Sequence, residues 1–383
     1  MLNSLHFLET AITLSVQITF VVGLTWGLNQ LIREERKRCR LWTCSYALIL
    51  LLVGLAVAAP HPRLFHPWKS FSTESLVTLA EFEQKSGQAL LLIWLIGFVA
   101  TLMLMAFRFC LIHRFLKRCQ KLEQHSKAGK ELYQVLLDSQ DNFNRLFMKN
   151  RPIQVLVSSE VTTPFCWQFH SPYVVLPEYL IGFEPTSIEY IVRHELEHLQ
   201  TGHPLQLFLQ RLVEALFWFH PLVWWATRKS DLHREFACDE AAIQTKQEIV
   251  EYLRTLLTIV EYTTSHKDNL PSSLNFSRGR QAIARRAERL VMLASANGES
   301  IRAQLPCHIA MICLVSFSLL ISWFWLPLNV LASTRSNWSP WPKWSASVLH
   351  DLGVPARDFE IFSQRTELDE MKEHLSQQRK TRE

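Results

Sequence analysis

Arg193-His194-Glu195-Leu196-Glu197-His198 is the stretch from which the fold of this 383-residue chain is read. It has the form H-E-x-x-H. In a helix, residues four apart lie one turn apart on one face, so His194 and His198 can point at a single metal ion. Glu195, beside the first His, can then take a proton from an attacking water. That is the arrangement of a zinc metalloprotease. Two His and two Glu on a solvated surface helix would give the same five residues. The surrounding sequence favours the metal. Pro185-Thr186-Ser187-Ile188-Glu189 reads as a helix start, with Thr186 as N-cap and Glu189 closing a capping box. Ile188, Ile191, Val192, Leu196 and Leu199 form an apolar stripe at helical spacing, and Gly202 reads as the stop.

A catalytic zinc needs a third protein ligand and an open position. Downstream, His233-Arg234-Glu235-Phe236-Ala237-Cys238-Asp239-Glu240 carries E-x-x-x-D on a helix expected to start near Pro221. Glu235 is the candidate third ligand. Asp239, one turn on, is the candidate carboxylate behind a ligating His, where it would fix the tautomer. Alone, E-x-x-x-D is common on solvated helix faces; following H-E-x-x-H on a second helix, it gives a gluzincin layout. His203, His220 and His233 are read as capped or core histidines, and Cys238 as a small buried residue. His233 or Arg234 could also steady a developing oxyanion.

With HELEH, the run FHPLVWWATRKSDLHREFACDEAA (residues 219–242) resembles the M56 peptidases, the BlaR/MecR-type antirepressor family of bacterial membrane metalloproteases. The likeness covers roughly residues 10–335, and its specific motifs lie between Ser158 and Ala242. It implies a zinc protease domain facing the cytoplasm, held between membrane helices, that signals by cleaving a target such as a transcriptional repressor. The large penicillin-binding sensor domain that ends the best-known members is expected to be missing here.

Composition agrees with a membrane protein. Hydrophobic residues make up 48% of the chain, although 20% are charged. The net charge of +5 reads as membrane flanks rather than as a nucleic-acid surface. Four charge-free stretches, Thr10–Ile32, Leu41–Pro60, Ser86–Phe107 and Ala303–Thr334, are each long enough for the roughly 20 apolar residues that span a bilayer. Trp26, Trp42, Trp323 and Trp325 lie near their ends, where aromatic belts form.

Arg33, Arg36, Lys37, Arg38 and Arg40 follow the first stretch, and Arg108, Arg114, Lys117, Arg118 and Lys121 the third. The loop 61–85 holds only Arg63, Lys69 and Lys85. The positive-inside rule puts the two basic segments in the cytoplasm and the N-terminus, loop 61–85 and the tail outside. The eight cysteines all avoid the two exported segments, so no disulfide framework is implied.

The expected fold is therefore an α-helical protein of the cytoplasmic membrane with about four transmembrane helices and an inserted α+β zincin domain. Residues 1–113 would hold three spans, 114–302 the cytoplasmic protease, 303–334 the fourth span and 335–383 a short exported tail. Within the insert, Glu123–Lys149 reads as a helix, and Pro152–Ser158 and Ser171–Pro177 as strands. The segment Val161–Leu176 lies where the family places a substrate-binding edge strand, although a structural hairpin would read the same. Leu205–Phe219 reads as an apolar helix. Phe217, Trp218, Phe219, Trp224 and Trp225 are assigned to packing, within the domain or on the bilayer. Arg278–Met292 reads as a basic amphipathic helix on anionic lipid, or else as a link the enzyme could cut in itself.

The function expected is hydrolysis of a peptide bond in a cytoplasmic regulatory protein, with cleavage of the enzyme itself as a further option. His194, His198 and Glu235 would hold Zn²⁺, with Glu195 as base and Asp239 behind a His. A broad quality-control protease and a non-proteolytic transducer are the alternatives; an intact Glu195 speaks against the latter. The expected partners are the lipid bilayer and the protein substrate, with self-association a further option and no direct nucleic acid.

Overall fold

The computed structural model describes residues 4–59, 61–62, 67–122, 153–169, 171–265, 280–295, 305–328, 330, 372 and 376–377. The expected helix 123–149 and almost all of the tail 335–383 lie outside them. Two long helices come first, α1 (Ser4–Gln30) and α2 (Glu35–Ala58). The third, α3 (Thr73–Leu116), has 44 residues, so the expected span 86–107 is only its middle. At 1.5 Å per residue it is about 66 Å long, more than twice a hydrocarbon core of about 30 Å. It begins early because Ser72 caps it, accepting the Ser75 N–H at 3.3 Å. Among the described residues, these three helices are long and apolar enough to cross a membrane.

The fourth apolar stretch is shorter than its sequence suggests. Its helix covers only Cys307–Ser322, 16 residues. Residues 323–328 leave helical geometry ahead of Pro327, which disfavours helix in the residue before it. The freed end is satisfied from α1. Gln17 donates to the carbonyls of Ile321 and Phe324 at 3.1 and 3.0 Å, and the Trp325 indole donates to Glu9 at 2.5 Å. Glu9, Thr13 and Gln17, buried polar residues at four-residue spacing, thus form one stripe facing this break.

A small sheet follows α3: β1 (Gln120–Lys121), β2 (Gln154–Ser158), β3 (Phe165–Trp167) and β4 (Tyr173–Pro177), in the order β1-β2-β4-β3. Strands β2 and β4 are parallel, and both outer strands pair antiparallel. Alternation decides what each face meets. Val155, Val157, Val174 and Leu176 pack on the apolar stripe of α4 (Pro185–Gln200). Leu156 and Val175 face the other way, onto Phe115 and Leu116 at the end of α3. The sheet is therefore held between the end of α3 and the helix that carries HELEH.

The remaining elements are α5 (His203–Leu216), α6 (Pro221–Ala242), α7 (Glu248–Ser265), α8 (Arg280–Ser295) and α9 (Cys307–Ser322). Val213 and Phe217 beside α5, and Val223 and Ala226 on α6, share one core with α1, α2 and α9. The aromatic cluster serves this junction. Trp225 stands edge-on to Trp26 and Trp42, each at 6.3 Å, and the Trp218 ring lies so close to α3 at Gly97 that a Cβ there would meet it at 2.3 Å.

The start of α4 differs from expectation. Glu184 occupies the N-cap position, and no side chain caps the helix. Pro185 at the first position lacks an N–H and is already set to helical φ, so the helix begins before Thr186 can act as cap. Glu189 instead pairs with Arg193 at 2.5 Å.

Candidate metal centre

Two helices build the site. Helix α4 ends at Gly202, whose left-handed backbone (φ 69°) lets the chain turn directly into α5. Helix α6 packs along α4 and sets Glu235 and Asp239 against His194 and His198. Four of the five expected site residues are buried and His198 is half-buried: His194 and Glu195 lie on one turn of α4, with His198 one turn on, and Glu235 and Asp239 one turn apart on α6.

The donor atoms converge. The His194 and His198 Nε2 atoms are 3.3 Å apart, and each lies 3.5 Å from a Glu235 carboxylate oxygen. Atoms at the corners of a tetrahedron with edges this long lie about 2.1 Å from its centre, the length of Zn–N and Zn–O bonds. One Glu235 oxygen faces His194 and the other His198, so the spacing suits a zinc ion held by both imidazoles and this carboxylate. Cys238 is the competing third donor: His194, His198 and Cys238 have ligand atoms within 4.8 Å of one another. Burial pushes the Cys238 thiol well above its usual pKa, helped by Glu235 and other carboxylates nearby. Its sulfur lies 3.6 Å from His203 Nδ1.

Behind the donors, each imidazole is held by its other nitrogen. His194 Nδ1 lies 3.1 Å from Asp239 Oδ1 and 3.1 Å from the Tyr252 hydroxyl, which itself donates to Asp239 at 2.7 Å. His198 Nδ1 lies 2.9 Å from His203 Nδ1. With Nε2 bare towards the donor cluster, His198 donates from Nδ1 and His203 accepts. A neutral His203 suits that role: burial, then the neighbouring His198 and Arg234, hold its pKa well below the usual value. Burial alone would lower His194, but hydrogen bonds to Asp239 and Glu235 outweigh it and raise its pKa to about 9. Burial likewise opposes the ionised form of Asp239, yet Arg286 and His194 bring its pKa down to about 2.

Arg286 is the residue that sequence reasoning placed elsewhere. It sits on α8, assigned to a lipid surface, but its Nε and Nη2 bond Asp239 at 2.8 and 2.5 Å and its Nη1 reaches Glu235 at 3.0 Å. Arg289 on the same helix reaches Glu35 at 3.3 Å and Glu240 at 3.0 Å. A basic helix docks on protein here because buried carboxylates outbid a hydrated lipid surface. His203 and Tyr252 were also missed as site residues. His233 is not free for an oxyanion: Glu35 lies 2.7 Å from its Nδ1 and Asn29 3.1 Å from its Nε2. Arg234 bonds Ser230, Gln210 and Asp231.

A cavity of about 730 Å³ opens on the donors. Glu195, His194 and His198 line its floor, Cys166 and Trp167 of β3 one side, and Met105 and Phe109 of α3 another. Strand β3 ends the sheet order, so its outer edge borders the cavity.

The chain has relatives among characterised proteins. It is 26% identical over 141 residues to the regulatory protein BlaR1 of Bacillus licheniformis, covering 36% of this chain and 23% of that protein. It is 22% identical over 205 residues to the methicillin resistance mecR1 protein of Staphylococcus aureus, covering 52% of this chain and 33% of that one. The mecR1 protein of Staphylococcus epidermidis matches to the same extent. The chain thus spans about a quarter to a third of the length of these relatives. The profile of the BlaR1 peptidase M56 family matches residues 5–290, three quarters of the sequence, and the chain belongs to that family.

Proposed function

We propose that this chain is a membrane-bound zinc metallopeptidase of regulatory type, with His194, His198 and Glu235 as metal ligands and Glu195 as general base. The observation that carries the reading is the convergence of donor groups, the two imidazole Nε2 atoms 3.3 Å apart and each 3.5 Å from one of the two Glu235 oxygens, with Glu195 beside them on an open cavity. Zinc bound there would supply Lewis-acid polarisation of the scissile carbonyl and of water. The chain's own residues do the rest. Glu195 accepts the proton of the attacking water and hands it to the leaving amine. Asp239 and His203 hold the two imidazoles in register. The outer edge of β3 offers backbone partners to an extended substrate, which would add as a strand.

The substrate we infer is a cytoplasmic regulatory protein such as a transcriptional repressor, in keeping with family membership and with a relative named as a regulatory protein. The cytoplasmic placement rests on the Lys/Arg asymmetry and on a contact between the first basic segment and the site. Arg36, at the start of α2, bonds Glu197 of HELEH through two contacts of 2.6 Å. The end of α2 that the rule assigns to the cytoplasm is thus the end that touches the zinc helix. Reporter domains active only outside the cytoplasm, fused after Ser70, Lys130 and Ser345, should be active at the first and last positions. Activity at Lys130 would reverse the orientation and exclude a cytoplasmic substrate.

Metal content tests the site directly. Purified protein should carry about one zinc. His198→Ala and Glu235→Ala should lose most of it, while Cys238→Ser keeps it. Zinc lost from Cys238→Ser but kept by Glu235→Ala would transfer the third ligand to the thiol.

A further inference from the structure

We propose that Arg286 is a positioning residue for the metal centre: its guanidinium, delivered by α8, spans Asp239 and Glu235 and fixes both carboxylates against the two imidazoles. The inference rests on the metal reading of the site given above.

Three buried carboxylates, Glu195, Glu235 and Asp239, stand close to the imidazole pair, with exposures of 7%, 3% and 1%. Like charges removed from water repel strongly and need a fixed counter-charge. The Arg286 side chain is 14% exposed and makes three contacts of 2.5–3.0 Å, two to Asp239 and one to Glu235. A planar fork with five donors suits this, because it can hold one carboxylate in two-point contact and still reach a second. Its effect reaches both sides of the donor triangle: Asp239 holds His194 from behind, and the Glu235 oxygen facing Arg286 is the one 3.5 Å from His194 Nε2.

The helix is built to present this residue. Along α8, Ile283, Arg286, Arg289 and Leu290 turn inward, while Arg285 and Glu288 are exposed. Leu290 is fully buried with Tyr190, Ala242 and Tyr252, so it holds the helix in place independently of the arginine. Arg289 shares the inward face but contacts Glu35 and Glu240, neither of which is a donor. It is an internal control for helix docking.

The test uses the full chain in detergent, stripped with a chelator and titrated with Zn²⁺ against a chromophoric competitor. Arg286→Gln should weaken zinc binding by about 10–100-fold, the usual effect of removing a partner behind a metal ligand. Arg286→Lys keeps the charge but cannot span both carboxylates, so it should fall between Gln and wild type; it also covers the case in which the Gln variant folds poorly. Arg289→Gln should stay within a few-fold of wild type. In an Asp239→Asn background the Arg286→Gln loss should shrink, since the two residues act as a coupled pair. Wild-type affinity in Arg286→Gln, an equal loss in Arg289→Gln, or the same loss in both Asp239 backgrounds would each overturn the inference. If wild type itself takes up no zinc that His198→Ala abolishes, the metal reading fails and this one with it. That outcome differs from tight wild-type binding that Arg286→Gln leaves untouched.

Discussion

Glu195→Gln is expected to keep its zinc and to lose peptide hydrolysis. The side chain is buried, lines the cavity and follows His194 directly on α4, so it faces the place where a scissile bond would meet the donor triangle. The amide has the shape of the carboxyl group and is not one of the three donors, so neither fold nor metal content should change. It cannot accept the water's proton, and the loss should fall on the chemical step, about 10²–10⁴-fold. Asp239→Asn makes an instructive contrast. Asp239 contacts His194 Nδ1 rather than substrate, so its replacement should reduce zinc affinity as well as rate, by roughly 10–100-fold. Cleavage of a co-expressed candidate repressor, with zinc measured in parallel, separates the two. Wild-type cleavage by Glu195→Gln would remove it from the base role.

The two motifs could be read in the sequence because each is local. In a helix, a spacing of four residues fixes which side chains share a face, so H-E-x-x-H and E-x-x-x-D each specify a pair before any tertiary structure is known. Joining the pairs took only two adjacent helices, and α4 and α6 do pack together. The strands at 154–158 and 173–177 were legible for a similar reason: short β-branched runs bounded by Pro and Ser.

What was not legible depends on contacts far apart in the chain. Arg286 meets Asp239 across 47 residues, and a basic amphipathic helix has the same pattern whether it docks on lipid or on buried acid. The role of His203 needed the reversal at Gly202, which folds α5 back so that its first residue meets His198. The fourth apolar stretch was read by hydropathy, which does not register that Gln17 and Glu9 can satisfy a helix ended early. One signal was available: Glu35, a carboxylate within a basic run at the start of an apolar helix, demanded a buried partner.

Glu35→Ala is accordingly expected to cause the largest loss of stability of any single change at the membrane end of the site. Glu35 is fully buried, and three donors converge on it: the His233 ring at 2.7 Å and the guanidinium groups of Arg38 at 2.8 Å and Arg289 at 3.3 Å. It thereby ties α2 to α6 and α8 at one point. Deleting the carboxylate leaves the buried His233 ring and two partly buried guanidinium groups without their shared acceptor, and breaking a buried pair of this kind costs about 3–5 kcal/mol. At roughly 2–4 °C per kcal/mol, the melting temperature should fall on the order of 10 °C. Glu35→Gln keeps a hydrogen-bond acceptor for His233 and should lose less. The adjacent Glu34 is the control: its side chain is 62% exposed and pairs with the half-exposed Lys37, so Glu34→Ala should be near neutral. Thermal unfolding of the three variants in the same detergent decides it. If Glu35→Ala melts with Glu34→Ala, the buried carboxylate does not hold the junction, and α2 must be fixed against the rest of the fold through contacts such as Arg36 with Glu197 instead.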